Sequence, residues 1–135
     1  MSYWLLKADP DSNNWLKLLE DKKLGWPGVR NFQARNFLRE MKKGDLAFYF
    51  HGGEERQVVG IARVESAAYP DPNDEKWETI DITPVKAVSR PVSIEEIRSR
   101  QACYQMPLLK QSRLSVQPVT ESEWQEIMKI SKTEL

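Results

Sequence analysis

The 135-residue sequence contains one cysteine, Cys103, and one histidine, His51. A lone cysteine excludes an intramolecular disulfide, and so little cysteine fits a reducing, cytoplasmic compartment. One His and one Cys far apart in the chain leave no zinc site, which needs three or four such ligands. Asp71, Asp74 and Glu75 share a segment but lack the spacing and glycine of an EF-hand loop, so no metal and no other cofactor is expected. No Walker loop, G-x-G-x-x-G or G-x-S-x-G occurs, which removes the usual NTP, dinucleotide and serine-hydrolase sites. Cys103 with His51 is the one Cys–His pair available, and a partly buried structural cysteine with an unrelated histidine is the preferred reading of it. Long apolar runs are also missing. Residues 3–6 and 46–50 fall far short of the roughly 20 needed to span a bilayer. The first residues lack the basic start of a signal peptide, and Lys7 and Asp9 interrupt them. With no internal repeat, low-complexity stretch or linker, residues 1–135 are expected to form one domain that is neither a membrane protein nor an enzyme.

The chain is 40% hydrophobic, 10% aromatic and 30% charged, a globular composition. Twenty basic and twenty acidic residues cancel, but unevenly along the chain. Residues 22–43 hold seven cations against one acid, a net of +6, and residues 71–81 hold five acids against one cation, a net of −4. Such a distribution excludes a uniformly basic coat and permits a local phosphate-facing patch.

Periodicity predicts a strand at residues 3–8 and a short helix capped by Ser12 with Trp15, Leu18 and Leu19 on one face. Residues 24–28 read as a loop. A helix over 31–41 buries Ala34, Phe37, Leu38 and Met41, while Asn31, Arg35, Arg39 and Lys42 form a second, polar and basic stripe. Residues 46–51 and 57–66 form a strand pair turned by Gly52-Gly53-Glu54-Glu55. Small residues alternate at Val58, Gly60 and Ala62, which predicts close packing or curvature. Residues 69–74 read as a loop and 77–88 as a strand. Ser93 and Thr120 open capping-box helices. Residues 114–117 form a strand ended by Pro118, and 131–135 a frayed tail. Five or six short strands with three or four short helices make an α+β domain built on a small curved, mainly antiparallel barrel with peripheral helices.

The richest segment is Gly25-Trp26-Pro27-Gly28-Val29-Arg30-Asn31-Phe32-Gln33-Ala34-Arg35-Asn36. An aromatic ring stacks on a base, amides match base edges, and arginine engages phosphate. Gln111-Ser112-Arg113-Leu114-Ser115 repeats the polar and arginine chemistry. The competing reading makes Trp26 core, and Asn31 and Ser112 caps or turns.

These stretches carry a resemblance. Together with Tyr3-Trp4-Leu5-Leu6-Lys7, Met41-Lys42-Lys43-Gly44-Asp45, Gly60-Ile61-Ala62-Arg63-Val64, Tyr69-Pro70-Asp71-Pro72 and Ser112-Arg113-Leu114-Ser115-Val116-Gln117-Pro118-Val119, the sequence resembles the EVE domain family, which includes the thymocyte nuclear proteins. The resemblance implies a PUA-like fold akin to YTH and SRA-like domains. It also implies a non-catalytic module that reads a flipped modified base, such as a methylated cytosine, in DNA, with RNA as the second candidate. It places Trp26, Asn31, Gln33, Asn36, Phe50, His51, Ser112 and Ser115 at the base pocket, and Arg30, Arg35, Arg39, Lys42 and Arg113 on phosphates. A separate nuclease or other effector protein would act on the mark. The alternative use of the same pocket is a free nucleobase, a metabolite or a protein partner. The sequence departs from the family where Lys7-Ala8-Asp9-Pro10 replaces Lys-Ser-Glu-Pro and Tyr49-Phe50-His51-Gly52 replaces Phe-Tyr-His-Ser, losing hydroxyls at 8, 50 and 52.

Overall fold

Leu46–His51 forms strand β3, and all six of its residues are buried. Strand side chains alternate between two faces, so complete burial requires cover on both. The computed structural model, which describes residues Met1–Leu135, shows that cover. β1 (Tyr3–Ala8) pairs with β3 in parallel, and β4 (Gln57–Val64) pairs with it antiparallel. With β2 (Leu24–Gly25), β7 (Asp81–Ser93) and β8 (Val116–Val119) they make a six-stranded mixed sheet in the order β2-β7-β4-β3-β1-β8. A separate hairpin consists of β5 (Tyr69–Asp71) and β6 (Asp74–Thr79). Register shifts in β3–β4 and β4–β7 mark bulges, which bend strands and curl the sheet into a half-barrel.

Two apolar layers follow. On one face Trp4, Leu6 and Tyr49 pack with Trp15 and Leu18 of α1 (Trp15–Asp21) and with Ala34 and Leu38 of α2 (Phe32–Glu40). On the other, Leu5, Phe48 and Phe50 pack with α3 (Ile94–Arg98), α4 (Pro107–Lys110) and α5 (Glu121–Ser131) through Ile97, Leu108 and Ile127. Trp124 of α5 stacks on Phe48 at 3.9 Å and on Tyr3 at 4.3 Å. The capping boxes at Ser93 and Thr120 form as their spacing predicts. Buried Asp45 accepts from Trp4 Nε1 at 3.0 Å, Lys42 N at 3.0 Å and Ser2 N at 3.2 Å, tying β1 to the end of α2.

Several local expectations are corrected. Asn14, not Ser12, caps α1, accepting from Lys17 N, and Leu19 is 42% exposed. Residues 24–25 pair with β7 as β2. Residues 69–74 are a strand and turn of the β5–β6 hairpin, not a loop. The single strand expected over 77–88 is broken at Ile80, where the chain leaves β6 and enters β7. Alternation continues through Ile80 and Ile82, so the pattern carries no sign of the break. Pro118 lies inside β8 because β8 is an edge strand, where proline forfeits no ladder bond. The tail is docked rather than frayed. Ser131 and Thr133 are buried, Ser89 N donates to Thr133 Oγ1 at 2.8 Å, and Lys86 Nζ donates to the Glu134 carbonyl at 2.8 Å.

The small face of β4 has a specific tenant. A Cβ added to Gly60 would stand 2.6 Å from three ring atoms of Trp15, so α1 seats on bare backbone. Gly60→Ala therefore displaces Trp15. Overpacking of this kind costs about 1–3 kcal/mol, to be read as a lower denaturant midpoint at unchanged slope.

Candidate functional site

Parallel pairing brings the C-terminal ends of β1 and β3 together, with Ala8 opposite His51. Beyond Ala8 the chain turns tightly into α1, Ser12 N and Asn13 N donating to the Asp9 carbonyl at 3.1 and 2.8 Å. Trp26, Pro27 and Gly28, leaving β2, complete one side, where Gly28 adopts a φ of 72° that favours glycine. Ser115 closes the other, its carbonyl accepting from Lys7 N at 2.9 Å. These segments enclose a cavity of about 350 Å³, also lined by Lys7, Asp9, Ser12 and Asn13. Its volume lies within the roughly 300–1,000 Å³ of small-molecule sites.

The wall is held from behind. Trp26 is 3% exposed and meets Tyr49 edge-on at 5.8 Å. Its carbonyl accepts from Thr79 Oγ1, and its backbone N–H donates to the Ile80 carbonyl. Its indole Nε1 is buried and has no partner in the protein. Tyr49 packs on Trp15 at 5.5 Å and donates its hydroxyl to the Asn13 carbonyl at 2.6 Å, fixing the turn. Burial pushes the Tyr49 phenol far above its ordinary pKa, so it stays a donor.

His51 serves the scaffold. Its Nε2 accepts from Trp15 N at 3.0 Å, which assigns the proton to Nδ1, and Nδ1 then donates to Glu55 Oε1 at 3.0 Å. Both ring nitrogens are thus occupied. Cys103 is buried in the opposite apolar layer, where burial first, then Glu123 and Glu126, push its thiol up to about 11. The two do not form a nucleophile–base pair. No three His, Cys, Asp or Glu side chains are grouped to hold a metal ion.

Of the residues expected at the base pocket, the cavity brings together Trp26 and Ser115. Phe50 and Ser112 line a second cavity of about 500 Å³ on the other sheet face. Asn31 caps α2, its side chain accepting from Ala34 N at 2.9 Å, and Gln33 and Asn36 are exposed on that helix. The expected phosphate ligands divide in the same way. Arg30 pairs with Asp71 at 3.1 Å and Arg39 with Glu78 at 2.5 Å. Arg35 donates to the Lys76 carbonyl at 3.2 Å and lies over the rings of Phe32 and Trp77 at 4.8 and 5.5 Å. The basic and acidic stretches of the sequence therefore meet between α2 and the β5–β6 hairpin. Lys42 and Arg113 are exposed and outside every ion pair. Lys7, Asp9, Ser12 and Asn13 also line this cavity, although none is among the expected site residues. Their sequence signals are the Lys7-Ala8-Asp9-Pro10 stretch, where the family has Lys-Ser-Glu-Pro, and the Asp-Pro-Asp-Ser break after the first strand. Of the departures from the family pattern, Ala8 lies in the first cavity, and Phe50 and Gly52 in the second.

Comparison with known proteins adds a lineage. The family model described as EVE domain matches residues 2–130. Mouse thymocyte nuclear protein 1 is 31% identical, over 98% of this chain and 75% of its own length. Human THYN1, in a crystal structure in complex with DNA containing 5-methylcytosine, superposes with a TM-score of 0.89 at 27% identity over 100% of both chains. A YTH domain from Zygosaccharomyces rouxii shares the fold, with a TM-score of 0.62 at 13% identity over 99% of this chain and 88% of its own.

The Asn73 backbone N–H and then Arg30 hold the Asp71 carboxyl below its ordinary pKa of 3.8, against the effect of burial. A depressed carboxylate adds stability above the ordinary value, and that stability is lost as pH falls through the folded value. Asp71→Asn should cost about 1 kcal/mol at neutral pH and flatten the acid limb, as melting temperatures from pH 7 to pH 2 will show. Cys103, with its raised thiol and full burial, should resist a thiol-specific disulfide reagent at pH 8 in the folded protein and react at once in denaturant.

Proposed function

Because the chain belongs to the EVE domain family, we propose that it is a non-catalytic module that reads a modified base in DNA, methylated cytosine first among the candidates. In this reading one flipped nucleotide enters the cavity between the end of β1, the turn before α1 and Trp26. The observation that carries it is the likeness, over the whole of this chain, to the human THYN1 structure that contains DNA with 5-methylcytosine.

The cavity offers matching chemistry. Flipping costs a few kcal/mol, and a stacked base returns about 1–3 kcal/mol, here from the Trp26 indole. Carboxylates accept from the exocyclic amine of cytosine, and Asp9 lines the cavity with one oxygen engaged by Asp11 N at 2.9 Å and the other free. Asn13 and Ser115 can serve the remaining polar edge. Ala8 and Pro27 supply apolar contact for a 5-methyl group. Any chemistry on the mark would fall to an effector outside residues 1–135, such as a nuclease. No helix is long and apolar enough to cross a membrane.

The test is a titration of short DNA duplexes carrying one cytosine, 5-methylcytosine or N6-methyladenine, with RNA counterparts. The 5-methylcytosine duplex should bind most tightly. Trp26→Ala would remove core as well as wall, at about 3–5 kcal/mol, so Trp26→Phe is the sharper probe. It should weaken binding at least about fivefold with the fold intact by circular dichroism. Equal affinity across the panel rejects the reading, and binding of a free nucleobase alone replaces it with the small-ligand alternative.

A further inference from the structure

The second cavity lies on the other face of the same sheet end and shares Lys7 with the first. Its charged lining is Lys7, Arg56, Arg98 and Lys110, with no Asp or Glu among its residues. None of these four cations forms an ion pair, whereas Arg30, Arg39, Arg90 and Arg100 all do. Glu55, beside Arg56 in sequence, is turned to His51.

We infer that this groove carries the sugar-phosphate backbone of the DNA strand whose base enters the Trp26 cavity. The inference rests on the modified-base reading and adds to it the path of the strand. Phosphates need cations with unspent charge, and an electropositive groove without counter-ions of its own concentrates them. Buried Phe50 and Leu108 give it an apolar floor on which sugar faces can rest. Lys7 Nζ stands at the boundary between the two cavities, donating to the Ser112 carbonyl at 2.7 Å with further donors free. Burial, and then the charge of Arg56, lower its pKa.

Arg56 sits at the groove rim with a φ of 48°, a conformation that glycine adopts freely and arginine does not, while its carbonyl is held by Ile94 N at 2.9 Å, so its side chain can be removed as Arg56→Gly without backbone strain.

The rival basic surfaces are weaker. Arg30 and Arg39 on and before α2 are spent on the acidic hairpin. The Lys86, Lys129 and Lys132 surface includes Glu134 in its own lining, and Lys86 is bound to that residue's carbonyl.

The experiment measures affinity for a short duplex with one central 5-methylcytosine between 50 and 200 mM salt. It compares the unaltered protein with Arg56→Gly, Arg98→Ala, Lys110→Ala, their combination, and Lys129→Ala as the control that matches each single variant in charge. Each lost phosphate contact should reduce the slope of log affinity against log salt by about 0.9. The triple variant should therefore lose between two and three in slope. The preference for 5-methylcytosine over cytosine should stay unchanged, since phosphate contacts carry no sequence information. Arg56→Gly should hold or raise the melting temperature while weakening binding, which a merely structural arginine would not do. An unchanged slope in the triple variant, or a loss in Lys129→Ala as large as in each single groove variant, overturns the groove while 5-methylcytosine preference still stands. A reduced slope without any preference supports the groove and rejects the base reading. No binding by the unaltered protein to any duplex rejects both.

Discussion

β1 and β3 run parallel and adjacent, and parallel neighbours cannot be joined by a tight turn. The intervening chain has to leave one end of the sheet, cross a face and return, and in doing so it forms α1, β2 and α2. That crossover covers the face bearing Trp4 and Tyr49 and supplies half of the first apolar layer. It also brings the C-terminal ends of both strands to one edge, where backbone turns away on two sides. The first cavity opens on one side and the basic groove on the other, with Lys7 between them.

Charge follows the same economy. The zero net charge is not an average over unrelated surface. Part of it is intramolecular pairing, with Arg30 and Arg39 around α2 facing Asp71 and Glu78 of the β5–β6 hairpin. Exposed ion pairs contribute little stability, and their larger effect here is on the outside potential. They remove positive field from one face and leave the Lys7 side as the cation-rich surface without acids in its lining. A neutral chain can present a polyanion site in this way.

The sequence was most legible where one local rule decides. The α2 stripe, the capping boxes at Ser93 and Thr120 and the first strand all lie where periodicity and cap chemistry put them. It was least legible where a distant contact decides. Ile80 and Ile82 alternate without interruption, yet hairpin ends and sheet begins between them. Arg30 and Arg39 look like free phosphate ligands until the fold brings Asp71 and Glu78 to them. Asn31 serves as a helix cap, the competing reading of that residue. Trp26 is core, as the competing reading of that residue has it, and it also lines the first cavity. The groove cations come from four separate elements or turns, and no window of sequence contains them.

The seat of Trp15 on Gly60 has a consequence for descent. Residues 15 and 60 are matched in volume, and α1 begins at Trp15, one residue after the turn that borders the cavity. A lineage that enlarges position 60 must first shrink position 15, because the reverse order passes through an intermediate with two groups in one space. Shrinking position 15 lets α1 settle differently and redraws the turn beside the cavity. Drift at this interior pair, remote from any ligand, would therefore reshape what the domain can recognise.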